Sequence, residues 1–152
     1  MMMATNLVVY FSVSGTTKHA AETIAKLTGA DIAELTPVEP YSREYDEVVA
    51  RGQQEKDSKA RPAVEPLSVN PNAYQTIYVG FPTWWGQPPM VIQTFFETSA
   101  LKGKRIIPFT TSVTSTIADS WPMLQQLSQS AQATLEPGLT ANSTTTIRQF
   151  IQ

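Results

Sequence analysis

Residues 7–27 read LVVYFSVSGTTKHAAETIAKL, and the character of the chain changes sharply inside that stretch. Leu7, Val8, Val9, Tyr10 and Phe11 form a continuous apolar run of strand length, the pattern of a parallel strand covered on both faces. Residues 12–17 then place four hydroxyls, on Ser12, Ser14, Thr16 and Thr17, around Gly15. From Thr16 onward Ala20, Ala21, Ile24, Ala25, Leu27 and Thr28 recur at helical spacing, with Lys18, His19, Glu22 and Lys26 opposite them. Gly29 is placed to stop that helix. A buried strand therefore passes into an amphipathic helix through a loop crowded with hydroxyls.

The rest of the chain repeats the alternation. A second strand is expected at 31–35, closed by Pro37 and Pro40. Residues 41–57, YSREYDEVVARGQQEKD, read as a polar helix with a modest stripe at Tyr45, Val48 and Val49. Ser42 is its expected N-cap, and Asp46, Glu47 and Glu55 read as a solvated face. Residues 58–72, SKARPAVEPLSVNPN, hold three prolines and no period, which predicts a long functional or mobile loop. Further strands are expected at 76–81, 105–109 and near 133–135. Further helices are expected at 90–101, anchored by Val91, Phe95 and Phe96, near 121–130 and near 143–151. Strands alternating with helices predict an α/β fold with a largely parallel sheet and right-handed crossovers. With 152 residues and no repeat, heptad or internal boundary, a single domain over 1–152 is expected.

Composition removes several classes of function. The chain has no cysteine, which excludes disulfides, thiolate metal sites, iron–sulfur ligation and a cysteine nucleophile, and suits a reducing cytoplasm. A net charge of −2 offers no general attraction to a phosphate backbone, so no nucleic-acid partner is expected. No apolar run approaches the roughly eighteen residues of a membrane span, and MMMATN lacks a basic leader region. His19, the only histidine, lies on the polar helix face. The spacings GxSxG, HExxH and the EF-hand loop are absent, so neither a serine hydrolase elbow nor a metal site is expected.

Ligands of open α/β sheets sit beyond the carboxyl ends of the strands, where strand order reverses. The loops at those ends are SVSGTT (12–17), PTWWGQPP (82–89) and TTSVTST (110–116). In the first, amides at a helix N-terminus and clustered hydroxyls can hold a phosphate without a cation. The alternative is that the hydroxyls simply cap the helix. The Walker pattern GxxxxGK[ST] and the dinucleotide pattern GxGxxG are both absent. In the second loop the adjacent Trp84 and Trp85 offer a broad face to a flat heteroaromatic ring. One of the two is expected to pack beneath the loop instead. A phosphate cradle beside an aromatic wall describes a pocket for flavin mononucleotide (FMN).

The segments VVYFSVSGTTKHAAETIA, GFPTWWGQPPMVIQTFFE and PFTTS resemble the three FMN-binding segments of short-chain flavodoxin-like proteins. YSREYDEVVARGQQEKDSKARP is similar to the middle segment of that family, and the likeness spans about 7–112. The resemblance implies a three-layer α/β/α sandwich with a five-stranded parallel sheet of order 2-1-3-4-5 and FMN at the β1/β3 switch point; that placement comes from the family and not from periodicity. It implies that Ser12, Ser14, Gly15, Thr16 and Thr17 take the phosphate. Pro82, Thr83, Trp84, Trp85 and Gly86 would flank the isoalloxazine, with Thr111 and Ser112 along its other side. The third loop departs from the family, because SVTSTIADS has Val113 where related sequences carry glycines, and valine adopts positive φ at a cost. Altered flavin affinity or loop geometry is expected there. Arg61 and Pro62 match another family feature, although by itself Arg61 reads as a loop-positioning surface arginine; Trp121 reads as partly buried structure.

Three functions follow from this reading. The first is an electron carrier between redox partner proteins, and the second an FMN-dependent reductase that takes hydride from NAD(P)H and reduces a small acceptor such as a quinone. The third is a non-catalytic flavin sensor. A charge of −2 lends the carrier little steering field, while 152 residues leave little material for a nicotinamide site. No motif speaks to oligomeric state.

Overall fold

The computed structural model describes residues 5–112 and 115–151. Its strands are β1 (Asn6–Tyr10), β2 (Asp31–Glu34), β3 (Thr76–Pro82), β4 (Arg105–Thr111), β5 (Thr134–Leu135) and β6 (Leu139–Thr140). Its helices are α1 (Thr16–Thr28), α2 (Tyr45–Ser58), α3 (Met90–Thr98), α4 (Ile117–Ser130) and α5 (Thr144–Ile151). The strands pair in parallel in the order β2-β1-β3-β4-β5, and β6 also pairs with β4. This is the flavodoxin-like 2-1-3-4-5 sheet that the resemblance implies.

Alternation along β1 builds both cores. Leu7, Val9 and Phe11 join the cluster under α3 and α4, while Val8 and Tyr10 join the cluster under α1 and α5. Helix α1 buries Ala20, Ala21 and Ile24 and leaves His19 exposed, then ends at Gly29 with φ 72. Helix α3 is shorter than periodicity predicts, ending at Thr98, but buries every residue from Met90 through Phe96.

The fifth strand is broken, and its neighbour supplies the reason. The N–H groups of Thr134, Glu136 and Ala141 donate to the carbonyls of Lys104, Ile106 and Thr110 at 2.8, 2.8 and 2.7 Å. By the period of two, Pro108 faces the same edge and has no N–H to return. The chain leaves the ladder there: β5 pairs up to Ile106, and β6 begins opposite Phe109.

Several local expectations need correction. Helix α4 begins at Ile117 and not near Trp121, because the Asp119 carboxylate accepts the Thr116 N–H at 2.9 Å and starts the helix ahead of Pro122. Helix α2 begins at Tyr45; Ser42 accepts the Glu44 N–H at 2.9 Å outside the helix and does not cap it. Glu55 is buried and not part of a solvated face. The long loop is tethered by an antiparallel bridge between Pro37 and Val64 and by a Glu65 N–H bond to the Thr36 carbonyl at 2.7 Å. Arg61 does position that loop, pairing with Glu97 at 2.9 Å and donating to the Lys59 carbonyl at 2.9 Å. Trp121 is half-buried. Among the described residues no helix is long and apolar enough to cross a membrane.

Candidate cofactor site at the strand ends

The hydroxyls of the first loop do not cap α1. Its N-cap is Gly15 at φ 93, and no side chain caps the helix. Ser12 Oγ instead accepts the Gly15 N–H at 3.1 Å, and the Ser14 and Thr16 hydroxyls meet at 3.3 Å. The first turn of α1 has no acidic residue, whereas α2 carries Asp46 and Glu47 there and α4 carries Asp119. The amides and dipole of α1 are therefore left open to an outside anion.

Threonine hydroxyls join the three loops beneath the surface. Thr17, buried to 1% exposure, lies 2.7 Å from the Thr111 hydroxyl. The Thr83 N–H donates to the Thr111 carbonyl at 3.0 Å. Thr110 Oγ1 donates its one proton to the Phe81 carbonyl at 3.0 Å, so in its contact with Thr83 it accepts and Thr83 donates. The hydroxyls of Thr17, Thr83 and Thr111 thus work as struts between loops. Ser112 is committed as well: its N–H donates to Asn142 Oδ1 at 3.0 Å and its hydroxyl to the Ser115 carbonyl. Val113, on which the expected third-loop departure rested, lies outside the described residues.

The tryptophans divide their work. Residues 84–87 form a two-residue hairpin, with Trp84 N–H to Gln87 O at 2.9 Å and Gln87 N–H to Trp84 O at 3.0 Å. Trp85 and Gly86 stand between them at φ 52 and φ 71, the paired positive values of a type I′ turn. Ser120 Oγ holds the Gly86 carbonyl at 3.1 Å. Trp84 packs beneath the loop, edge-on to Phe11 at 5.7 Å and tilted against Tyr41 at 5.5 Å. Trp85 stays 44% exposed. Both rest on Gly52 of α2, where a Cβ would come within 3.0 Å of Trp85 and 3.2 Å of Trp84. Pro82 ends β3 and delivers this hairpin to the carboxyl end of the sheet.

Sequence reasoning missed the buttress behind Trp84. Arg51 lies 3.6 Å above the Tyr41 ring and binds Glu55 at 3.0 Å and the Pro40 carbonyl at 2.9 Å. The Tyr41 hydroxyl donates to the other Glu55 oxygen. Burial, then that bond to Glu55, pushes the Tyr41 phenol well above the ordinary tyrosine range, so it remains a donor at neutral pH. The only traces in sequence were the i, i+4 pairing of Arg51 with Glu55 and a glycine, Gly52, inside a helix.

The flavodoxin family model matches residues 5–151. The chain belongs to the flavodoxin family. Among solved structures, a candidate flavoprotein from Bacteroides eggerthii is 32% identical with a TM-score of 0.84, covering 98% of this chain and 96% of that one. A second, from Bacteroides uniformis, is 34% identical with a TM-score of 0.84, covering 97% of each. A flavoprotein from Lactobacillus acidophilus, solved in complex with FMN, shares the fold at 19% identity and a TM-score of 0.79, over 92% of this chain and 95% of that one. No curated protein matches the chain significantly. FMN, expected from the loops, is the cofactor of the flavodoxin family, and the open N-terminus of α1 suits its phosphate.

Proposed function

We propose that this flavodoxin-family member binds FMN at the three joined loops and carries electrons between redox partner proteins. The observation that carries the reading is the uncapped, acid-free N-terminus of α1, tied through Thr17 and Thr111 to the loop of the tryptophan hairpin. The amides of Ser14, Thr16 and Thr17, with the hydroxyls of Ser12, Ser14 and Thr16, hold the phosphate, while Gly15, whose N–H goes to Ser12 Oγ, shapes the turn. Trp85 and Gly86 bound the ring on one side and Thr111 and Ser112 on the other, while Trp84 holds the hairpin from beneath. FMN, when bound, supplies the redox chemistry, and the chain's part is to orient the ring and shield it from water. The weak net charge of −2 favours a second reading, a reductase fed by NAD(P)H.

FMN titrated into the purified protein is expected to bind in about a one-to-one ratio, with its fluorescence quenched by the indoles. The loaded protein should then oxidise NAD(P)H negligibly without a partner reductase. Rapid steady-state NAD(P)H oxidation with a quinone would replace the carrier reading with the reductase. Absence of FMN binding would overturn both.

Thr17→Ala is expected to weaken FMN by about 1 kcal/mol, the scale of one hydrogen bond, because the loop that its hydroxyl braces against Thr111 presents the phosphate amides. Because the change also leaves the Thr111 hydroxyl without its buried partner, the apo-protein should lose about 1 kcal/mol in urea denaturation. Lost stability with unchanged FMN affinity would make Thr17 a structural strut alone.

A further inference from the structure

A sizeable cavity lies away from the phosphate loop. It has a volume of about 830 Å³ and lies over α3 between α2 and α4, a size typical of small-molecule sites. Trp84 and Trp85 close one end, and Met90, Phe96 and Leu127 give it an apolar floor and wall. Lys56, Lys59 and Arg61 line it from α2 and the following loop. Glu97 also lines it, but is paired with Arg61 at 2.9 Å, so these two charges cancel. Among the described residues neither Lys56 nor Lys59 has a carboxylate within ion-pair distance. The cavity therefore keeps a positive end with no counter-charge from the chain.

One observation at the opposite end asks for a ligand. Gln87 lines the cavity, and its Oε1 is buried without a hydrogen-bond partner among the described residues, a costly arrangement unless a donor arrives. Trp85, presented by the hairpin at φ 52, sets its indole beside the cavity. Gly52 marks where Trp85 meets α2; at 1.5 Å per residue, Lys56 and Lys59 follow about 6 and 10 Å along the helix direction.

We propose that this cavity is a second ligand site, separate from the FMN loops, for a compact aromatic anion bearing an N–H or O–H donor at the end away from its charge. The ring lies along the Trp85 indole, the donor meets Gln87 Oε1, and the anionic group sits between Lys56 and Lys59. Trp85 is then shared between this site and the flavin side of the hairpin. The site itself stands on the cavity and does not require the FMN assignment.

The test is calorimetric titration of the full chain, apo and FMN-saturated, with 6-hydroxy-2-naphthoate, which carries its hydroxyl and carboxylate at opposite ends. One-site binding to both forms is expected. 2-Naphthol, lacking the carboxylate, and 2-naphthoate, lacking the hydroxyl, should each bind about fivefold more weakly or worse. The double variant Lys56→Gln/Lys59→Asn should lose about fivefold for 6-hydroxy-2-naphthoate and nothing for 2-naphthol. Both lysines are exposed, and asparagine tolerates the φ of 53 at position 59, so the fold is retained. Absence of one-site binding, equal affinity for 2-naphthol, or an unaffected double variant overturns the proposal. Displacement by FMN overturns it too, by placing the probe on the flavin loops. If the chain fails to bind FMN, the apo titrations still decide the matter.

Discussion

Riboflavin is expected to bind about a hundredfold more weakly than FMN. The two ligands share the isoalloxazine and differ by the phosphate, so the comparison isolates residues 12–17. That loop leaves the N-terminal amides of α1 uncapped, keeps acidic residues out of the first turn, and gathers hydroxyls on Ser12, Ser14 and Thr16. Two or so charge-assisted hydrogen bonds at roughly 1.5 kcal/mol each, with the helix dipole behind them, sum to about 3 kcal/mol, or two orders of magnitude in dissociation constant. Fluorescence titration of both flavins at one ionic strength reads the difference. Coincident curves would show that the loop does not receive the phosphate.

Gly80→Ala is expected to cost about 3 kcal/mol of stability, at the upper end of what overpacking a core does. Gly80 stands inside β3, between Tyr10 of β1 and Phe109 of β4. A Cβ there would fall 2.0 Å from Phe109 Cζ and 2.3 Å from Cε2. The ring cannot swing away, since Phe109 is fully buried among Tyr10, Ile24 and Leu139. Gly80 is thus small because an aromatic ring crosses over it, and no unusual φ is involved. Its carbonyl also accepts the Phe11 N–H at 3.0 Å, immediately before the phosphate loop, so FMN affinity should fall with stability. Urea denaturation measures the first effect. The double variant Gly80→Ala/Phe109→Leu should recover part of the loss, because the two sites share one volume. A loss under about 0.5 kcal/mol would mean that the core yields at this point.

The same pair of residues shows where reading a sequence stops. Gly80 and Phe109 each sit in an apolar run whose period predicts a buried strand, and both runs are strands. Nothing local says that one was emptied of side chain to admit the other. Pro108 is similar: it reads as one proline in a strand, yet its missing N–H faces the edge where β5 gives way to β6, and the two-residue β6 carried no signal of its own. Tyr41 and Glu55 looked like the polar helix around them, but the fold buries Glu55 and turns Tyr41 against Trp84.

By itself the sequence determined the α/β alternation, the extent of α1 with its stop at Gly29, and the places of the three loops that follow β1, β3 and β4. Those features rest on hydrophobic period and on glycine and proline, whose effects reach only a few residues along the chain. The tertiary structure alone decided which tryptophan supports and which is presented, and whether the hydroxyls of residues 12–17 cap their helix or leave it open. These outcomes depend on contacts such as Thr17 with Thr111, 94 residues apart, and Gly52 with both indoles. Only a packed sheet brings such partners together, and the energy that selects one arrangement does not exist until they meet.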